Sequence, residues 1–153
     1  YNGLGDLFVF IFFGIIAVSG TFYLQTGYIN IESIIIGIAS GALSTTILIV
    51  NNIRDISTDQ LSGKKTLAVI FGKQFAQLEY VFFMILSYIC PLYLYIYKSY
   101  SIAIFLIYLL LPFMIELMIK IFVTKNEDLN YLLNRTSKHM FVYSLLLSTI
   151  IIL

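Results

Sequence analysis

Charge is what this 153-residue chain has least of. Only 11% of its residues are Asp, Glu, Lys or Arg, against about 25% in a typical soluble domain. With 60% hydrophobic residues, this is the composition of a polytopic membrane protein, and the bilayer is the solvent to reason with. Tryptophan is absent, so Phe and Tyr supply the whole aromatic share of 16%. A net charge of +1 gives no nucleic-acid footprint. The single cysteine, Cys90, lies in an apolar run, which leaves no disulfide or thiolate metal site within the chain. There is no initial Met or basic n-region, so no signal peptide is read. The opening "YNGLGDLF" reads as the interior of a longer protein, and the chain is expected to be a fragment.

Apolar sequence fills most of the rest. A membrane helix needs about 20 apolar residues, and five stretches are expected to supply them. They run from Leu7 to about Leu24, Ile31 to Ile53, Phe75 to Tyr97, Ile102 to Val123, and from near Ser137 to Leu153. Lys and Arg set the orientation. Arg54, Lys64, Lys65 and Lys73 lie between the second and third stretches, and Lys125, Arg135 and Lys138 between the fourth and fifth. The loop between the first two has no basic residue, and "YKSY" has only Lys98. Five alternating spans thus put the basic loops on one face, expected to be cytoplasmic. In the second stretch, "GIASGALSTT" places Gly37 four before Gly41 and Ser40 four before Ser44, a packing face for close helix approach. Pro112 is expected to kink the fourth span.

The charges gather in "NNIRDISTDQLSGKKTLAV", Asn51 to Val69. Asp55 and Asp59 are four apart, which on a helix puts both on one face about 6 Å apart. Like charges at that spacing cost a bare helix a few tenths of a kcal/mol. The C-terminal end of a helix is also the negative pole of its dipole and disfavours acids. A divalent cation reverses both penalties. Mg²⁺ takes one or two carboxylates and completes its shell with water and phosphate oxygens. Lys64 and Lys65 follow, and then an apolar run too short to span, expected to be a short surface helix that lays the lysines over the carboxylates. An acidic pair, a divalent metal and basic residues beside a lipid-facing cavity suit a diphosphate whose hydrocarbon tail stays in the bilayer. DxxxD alone is a weak signal that in a soluble loop reads as a solvated face, and "NNIRD" reads also as a helix stop.

The whole string resembles the UbiA superfamily of membrane prenyltransferases, at the second of that family's two Asp-rich motifs. Together with the opening "YNGLGDLFVFIFFG", the following "GTFYLQTG" and the ending "LLNRTSKHMFVYSLLL", it is similar to the branch that prenylates 1,4-dihydroxy-2-naphthoate in menaquinone synthesis. That branch usually has Glu where this chain has Asp6. The resemblance implies an all-α bundle, a nine-helix transmembrane fold of which this chain holds the last five. The first four helices, the first Asp-rich motif and a basic motif would be absent, and the chain alone inactive. It further implies that Asp55 and Asp59 hold Mg²⁺ on a polyprenyl diphosphate. Asn51 would be a polar group one turn before Asp55, and Arg54, Lys64 and Lys65 would offset diphosphate charge. The implied reaction ionises the allylic diphosphate, and the naphthoate ring carbon bearing the carboxylate attacks the cation, with loss of carbon dioxide. The bacterial plasma membrane is the implied location, with lipid and the two substrates as partners and no nucleic acid.

Other residues draw attention for their place in apolar sequence. Phe10, Phe12, Phe13, Phe22 and Tyr23 could shelter a cation or be lipid-facing bulk. Glu116 lies inside the fourth span, with Lys120 four residues on in the orientation of a helix ion pair. Glu79 suits the start of a helix, and His139 reads as an interfacial polar group. Two other functions compete. One is a UbiA-type enzyme with a 4-hydroxybenzoate, haem, chlorin or glycerol phosphate acceptor. The other is a transporter or channel subunit with a Mg²⁺-sensing loop, which would need ionisable residues along a path across the membrane. The soluble prenyl synthases, which also use Asp-rich motifs, are excluded by hydropathy.

Overall fold

A computed structural model describes residues 3–98 and 100–152. Tyr1 and Asn2 of the opening string, Ser99 of "YKSY" and Leu153 at the end of the expected fifth span lie outside the described residues. All regular structure among those described is helical.

Helix α1 spans Gly5–Thr26 and carries no charge after Asp6. It stops at Gly27, whose φ of 79° only glycine adopts freely. Asn30 then caps α2, Ile31–Arg54, its side chain accepting from the Ser33 amide at 2.8 Å. Twenty-four residues rise about 36 Å, enough to cross a bilayer core. Two short helices follow at the membrane face, α3 at Ile56–Leu61 and α4 at Leu67–Phe71. Helix α5 spans Lys73–Lys98 and α6 spans Ile102–Val123. Helix α7 covers Leu129–Ile152.

Helix α2 is the centre of the bundle, with α1, α5 and α7 packed around it and α6 between α5 and α7. The small-residue face is the reason α1 comes so close. A Cβ added to Gly14 would strike the backbone of Gly37 and Gly41, and one on Gly37 would lie 2.8 Å from the Ile15 Cα. Over Phe10–Ile16, across this contact, α1 widens into π-helical turns. At the other end of the bundle Lys98 pairs with Glu32 at 3.0 Å, tying the end of α5 to the start of α2.

Both prolines are absorbed by specific neighbours. Pro91, inside α5, has no N–H to give the Ser87 carbonyl. The Tyr143 hydroxyl of α7 donates to that carbonyl at 2.5 Å, and the Tyr108 hydroxyl of α6 donates to the next one, of Tyr88, at 2.8 Å. In a membrane the freed carbonyls need such partners. Pro112 does not kink a continuous α-helix as expected. It stands in the first turn of an α segment, Leu111–Val123, preceded by a 3₁₀ stretch over Ile102–Leu110, a place where its missing N–H is no loss.

Four helices, α1, α2, α5 and α6, are long and apolar enough to cross a membrane. The fifth expected span is not among these four, and its start also needs correction. Helix α7 begins at Leu129, eight residues before Ser137, because its polar first half is amphipathic helix and not loop. Leu129, Leu132, Thr136, His139 and Tyr143 recur at helical spacing and are buried, while Asn130, Asn134, Arg135 and Lys138 occupy the other faces.

Candidate active site

The charged stretch forms two small clusters where α2 ends. Asp55 breaks the helix, with φ −97° and ψ 9°, yet the Asp59 amide still donates to the Asp55 carbonyl at 2.8 Å. The two acids therefore keep helical spacing, one turn apart. Arg54 grips Asp55 with two parallel hydrogen bonds, Nε to Oδ1 and Nη2 to Oδ2, each 2.7 Å. Nη2 also donates to Asn51 Oδ1 at 2.6 Å, and Nη1 to Asn130 Oδ1 of α7 at 2.8 Å. The guanidinium thus ties α2 to α7 and holds the Asp55 carboxyl below the usual carboxylate range. In the second cluster Lys64 Nζ lies 3.1 Å from Asp59 Oδ2. This salt bridge and the Lys64 amide, which donates to the Asp59 carbonyl at 2.9 Å, fold the loop back over α3.

Of the six residues singled out in this stretch, Asn51, Arg54 and Asp55 form one cluster, and Asp59 and Lys64 the other. Lys65 joins neither, and makes no ion pair among the described residues. No group of three or more His, Cys, Asp or Glu side chains suited to a metal occurs among the described residues. Two carboxylates are nevertheless a sufficient protein share for Mg²⁺ when phosphate oxygens and water complete the shell. Asp55 and Asp59 fit that ion as a donor pair, with Arg54 and Lys64 paired to them.

Two kinds of cavity flank this end of α2. On one side an apolar groove of about 370 Å³ is lined by Val9, Phe13, Ser44, Leu48, Asn51 and Met140. Further along α2, a second apolar cavity of about 370 Å³ takes in Ile36, Ser40, Tyr143 and Leu147. Asn51 and Ile36 are fifteen residues apart on α2, about 22 Å, so the two apolar cavities lie at different heights along the helix. On the other side of Leu48 a polar cavity of about 240 Å³ is lined by Asp6, Asn52, Lys64, Lys65 and Thr66. Asp6 is 2% exposed, and its Oδ1 accepts from Asn52 Nδ2 at 3.2 Å.

These features sit in a chain whose family is unmistakable. The UbiA prenyltransferase family matches residues 1–145. This chain belongs to that family. It is 50% identical to the 1,4-dihydroxy-2-naphthoate octaprenyltransferase of Haemophilus influenzae over 72 residues, 47% of this chain and 23% of the relative. The Escherichia coli protein of the same name is 39% identical over 90 residues, 59% of this chain and 29% of the relative. The human UbiA prenyltransferase domain-containing protein 1 is 30% identical over 138 residues, 90% of this chain and 39% of the relative. The chain thus spans about a quarter to two-fifths of the relatives it matches. Family and helices together make it part of a multi-pass membrane protein.

Other residues flagged in the sequence settle into structural places. Glu116 pairs with Lys120 at 2.8 Å, as expected, and takes two further hydrogen bonds from Arg135 of α7, at 2.7 and 2.6 Å. His139 is fully buried and not interfacial, with Nε2 2.9 Å from the Tyr88 hydroxyl. Phe12, Phe13 and Tyr23 are more than half or half exposed on α1, as apolar bulk. Glu79 is partly buried on α5. Sequence reasoning missed Asp6 as a buried acid, Asn52 as its partner and Asn130 as the α7 end of the Arg54 network. The one available signal was a lone acid opening a span that carries no other charge.

Proposed function

We propose that this chain is the C-terminal part of an integral-membrane prenyltransferase that moves a polyprenyl group from its diphosphate to 1,4-dihydroxy-2-naphthoate in menaquinone biosynthesis. The observation that carries the reading is the pairing of Asp55 and Asp59 with Arg54 and Lys64 next to an apolar groove that Asn51, a partner of Arg54, helps to line. That arrangement suits a ligand with a charged diphosphate and a hydrocarbon tail. Relatives named for the naphthoate reaction support the choice of acceptor. The charged end would face the cytoplasm of a bacterial cell, in keeping with its basic loops.

UbiA prenyltransferases are generally dependent on a divalent metal, and Asp55 and Asp59 would hold Mg²⁺. An ion held there would supply positive charge to the leaving diphosphate. Arg54 fixes Asp55 in position through both carboxylate oxygens and through Asn51. Lys64 does the same for Asp59 and adds a cation to the field on the leaving group. The remaining helices of the fold would bring the first Asp-rich motif and close the groove.

The test is product formation by the full-length protein, purified in detergent with a labelled polyprenyl diphosphate and Mg²⁺. A prenylated, decarboxylated naphthoate product, with carbon dioxide released, is the expected result. Prenylation of 4-hydroxybenzoate with the naphthoate untouched would move the protein to the other acceptor branch.

A further inference from the structure

We propose that the polar cavity beside Leu48 is the acceptor site, with Asp6 taking a hydrogen bond from a ring hydroxyl and Lys65 facing the acceptor's carboxylate. The inference rests on the prenyltransferase reading and deepens it. Three observations carry it.

Asp6 is nearly sealed from solvent, and its one side-chain hydrogen bond among the described residues comes from a neutral amide, Asn52. Burying a carboxylate is costly, and the nearby Lys64 of the same cavity offsets part of that cost. The carboxylate has room for further donors, since when ionised it accepts at about four lone-pair sites. Asp6 thus favours a ligand that donates hydrogen bonds.

The opposite wall carries cations. Lys64 is engaged with Asp59, whereas Lys65 lines the same cavity and makes no ion pair among the described residues. A small aromatic acid with a ring hydroxyl matches both walls at once. The cavity volume of about 240 Å³ admits a ligand of one or two fused rings and excludes a polyprenyl chain.

Position supplies the third observation. Leu48 lines both the polar cavity and the apolar groove, while Asn51 faces the groove and Asn52 the cavity. One turn of α2 thus separates the two compartments, and an acceptor ring in one lies alongside a prenyl tail in the other. The Lys64–Asp59 salt bridge joins the same cavity to the acidic pair. Gly3, which also lines the cavity, is packed against α4: a Cβ on it would meet Leu67 Cδ2 at 3.0 Å and Ile70 Cδ1 at 3.1 Å.

The experiment measures KM for each substrate separately in the full-length enzyme. Asp6→Asn and Lys65→Ala should each raise the acceptor KM by about tenfold or more, the worth of one charge-assisted hydrogen bond. The polyprenyl diphosphate KM should stay within about twofold, which also shows that each variant is folded. Asp6→Glu should recover most of the affinity. Methylating the acceptor hydroxyls should weaken binding to wild type but not to Asp6→Asn. An acceptor KM unchanged in both variants would overturn the assignment, as would equal changes in the two KM values. Should wild type use 4-hydroxybenzoate instead, the naphthoate reading fails and the same KM comparison with that acceptor decides the site. A wild-type enzyme that prenylates no aromatic acid overturns both readings.

Discussion

Arg54 holds both oxygens of Asp55 at 2.7 Å and reaches Asn130 of α7 with its remaining nitrogen at 2.8 Å. A residue next to the acid thus also fixes the distance between two helices. A planar fork does this and an ammonium does not. Arg54→Lys should therefore behave as a loss, with turnover down on the order of tenfold, one charge-assisted hydrogen bond at about 1.5–3 kcal/mol. Lys64→Ala should cost less than either Asp→Asn change, because Lys64 supplies part of a shared field. Steady-state rates of the three classes of variant in the full-length enzyme check the ranking. A Lys64→Ala defect larger than that of Asp59→Asn would reverse it.

The glycine contact of α1 with α2 makes a stability prediction. Gly14→Ala drives a methyl group into the α2 backbone, and overpacking of this kind costs about 1–3 kcal/mol. Gly20→Ala, on the same helix with nothing within 4 Å, should be neutral or slightly stabilising through helix propensity. Thermal unfolding in detergent should separate the two, with a lower midpoint for Gly14→Ala alone. Equal midpoints would mean that α1 does not rely on this contact.

Orientation is tested by labelling. In right-side-out vesicles an impermeant thiol reagent should modify Tyr28→Cys, between the first two spans, and spare Ser62→Cys, beside the acidic pair. The native Cys90 is buried in the bundle and should stay silent. Modification of Ser62→Cys with protection of Tyr28→Cys would invert the topology.

Much of the fold was legible because hydropathy and loop charge are long-range averages. Spans one to four were found within about two residues at each end. The Gly37–Gly41 face was readable because small residues at that spacing serve close packing. Helix α7 was placed late because its first half is amphipathic, and its apolar face, Leu129, Leu132 and Thr136, is too sparse to raise the mean hydropathy. His139 was misplaced with it, since a residue thought to begin a span in fact lies in its buried middle. The pairing of Asp55 with Arg54 and of Asp59 with Lys64 is local in sequence, and the reading of the charged stretch came close to it. Contacts across the chain were another matter. Asp6 with Asn52, Glu116 with Arg135 and Tyr143 with the Ser87 carbonyl depend on helix rotation and register, which composition and spacing do not encode.

Asp55 and Asp59 are proposed to hold the metal on a diphosphate. Turnover of the full-length enzyme across a Mg²⁺ titration, with Asp55→Asn and Asp59→Asn compared with wild type, tests it most directly. Each substitution keeps the size of the side chain and removes a ligand charge, and negative charge on the leaving group grows as the bond breaks. Turnover should fall by about a hundredfold or more, with the half-saturating Mg²⁺ concentration raised. Near-normal turnover with unchanged Mg²⁺ dependence in both folded variants would contradict the account, leaving the acidic stretch a solvated loop.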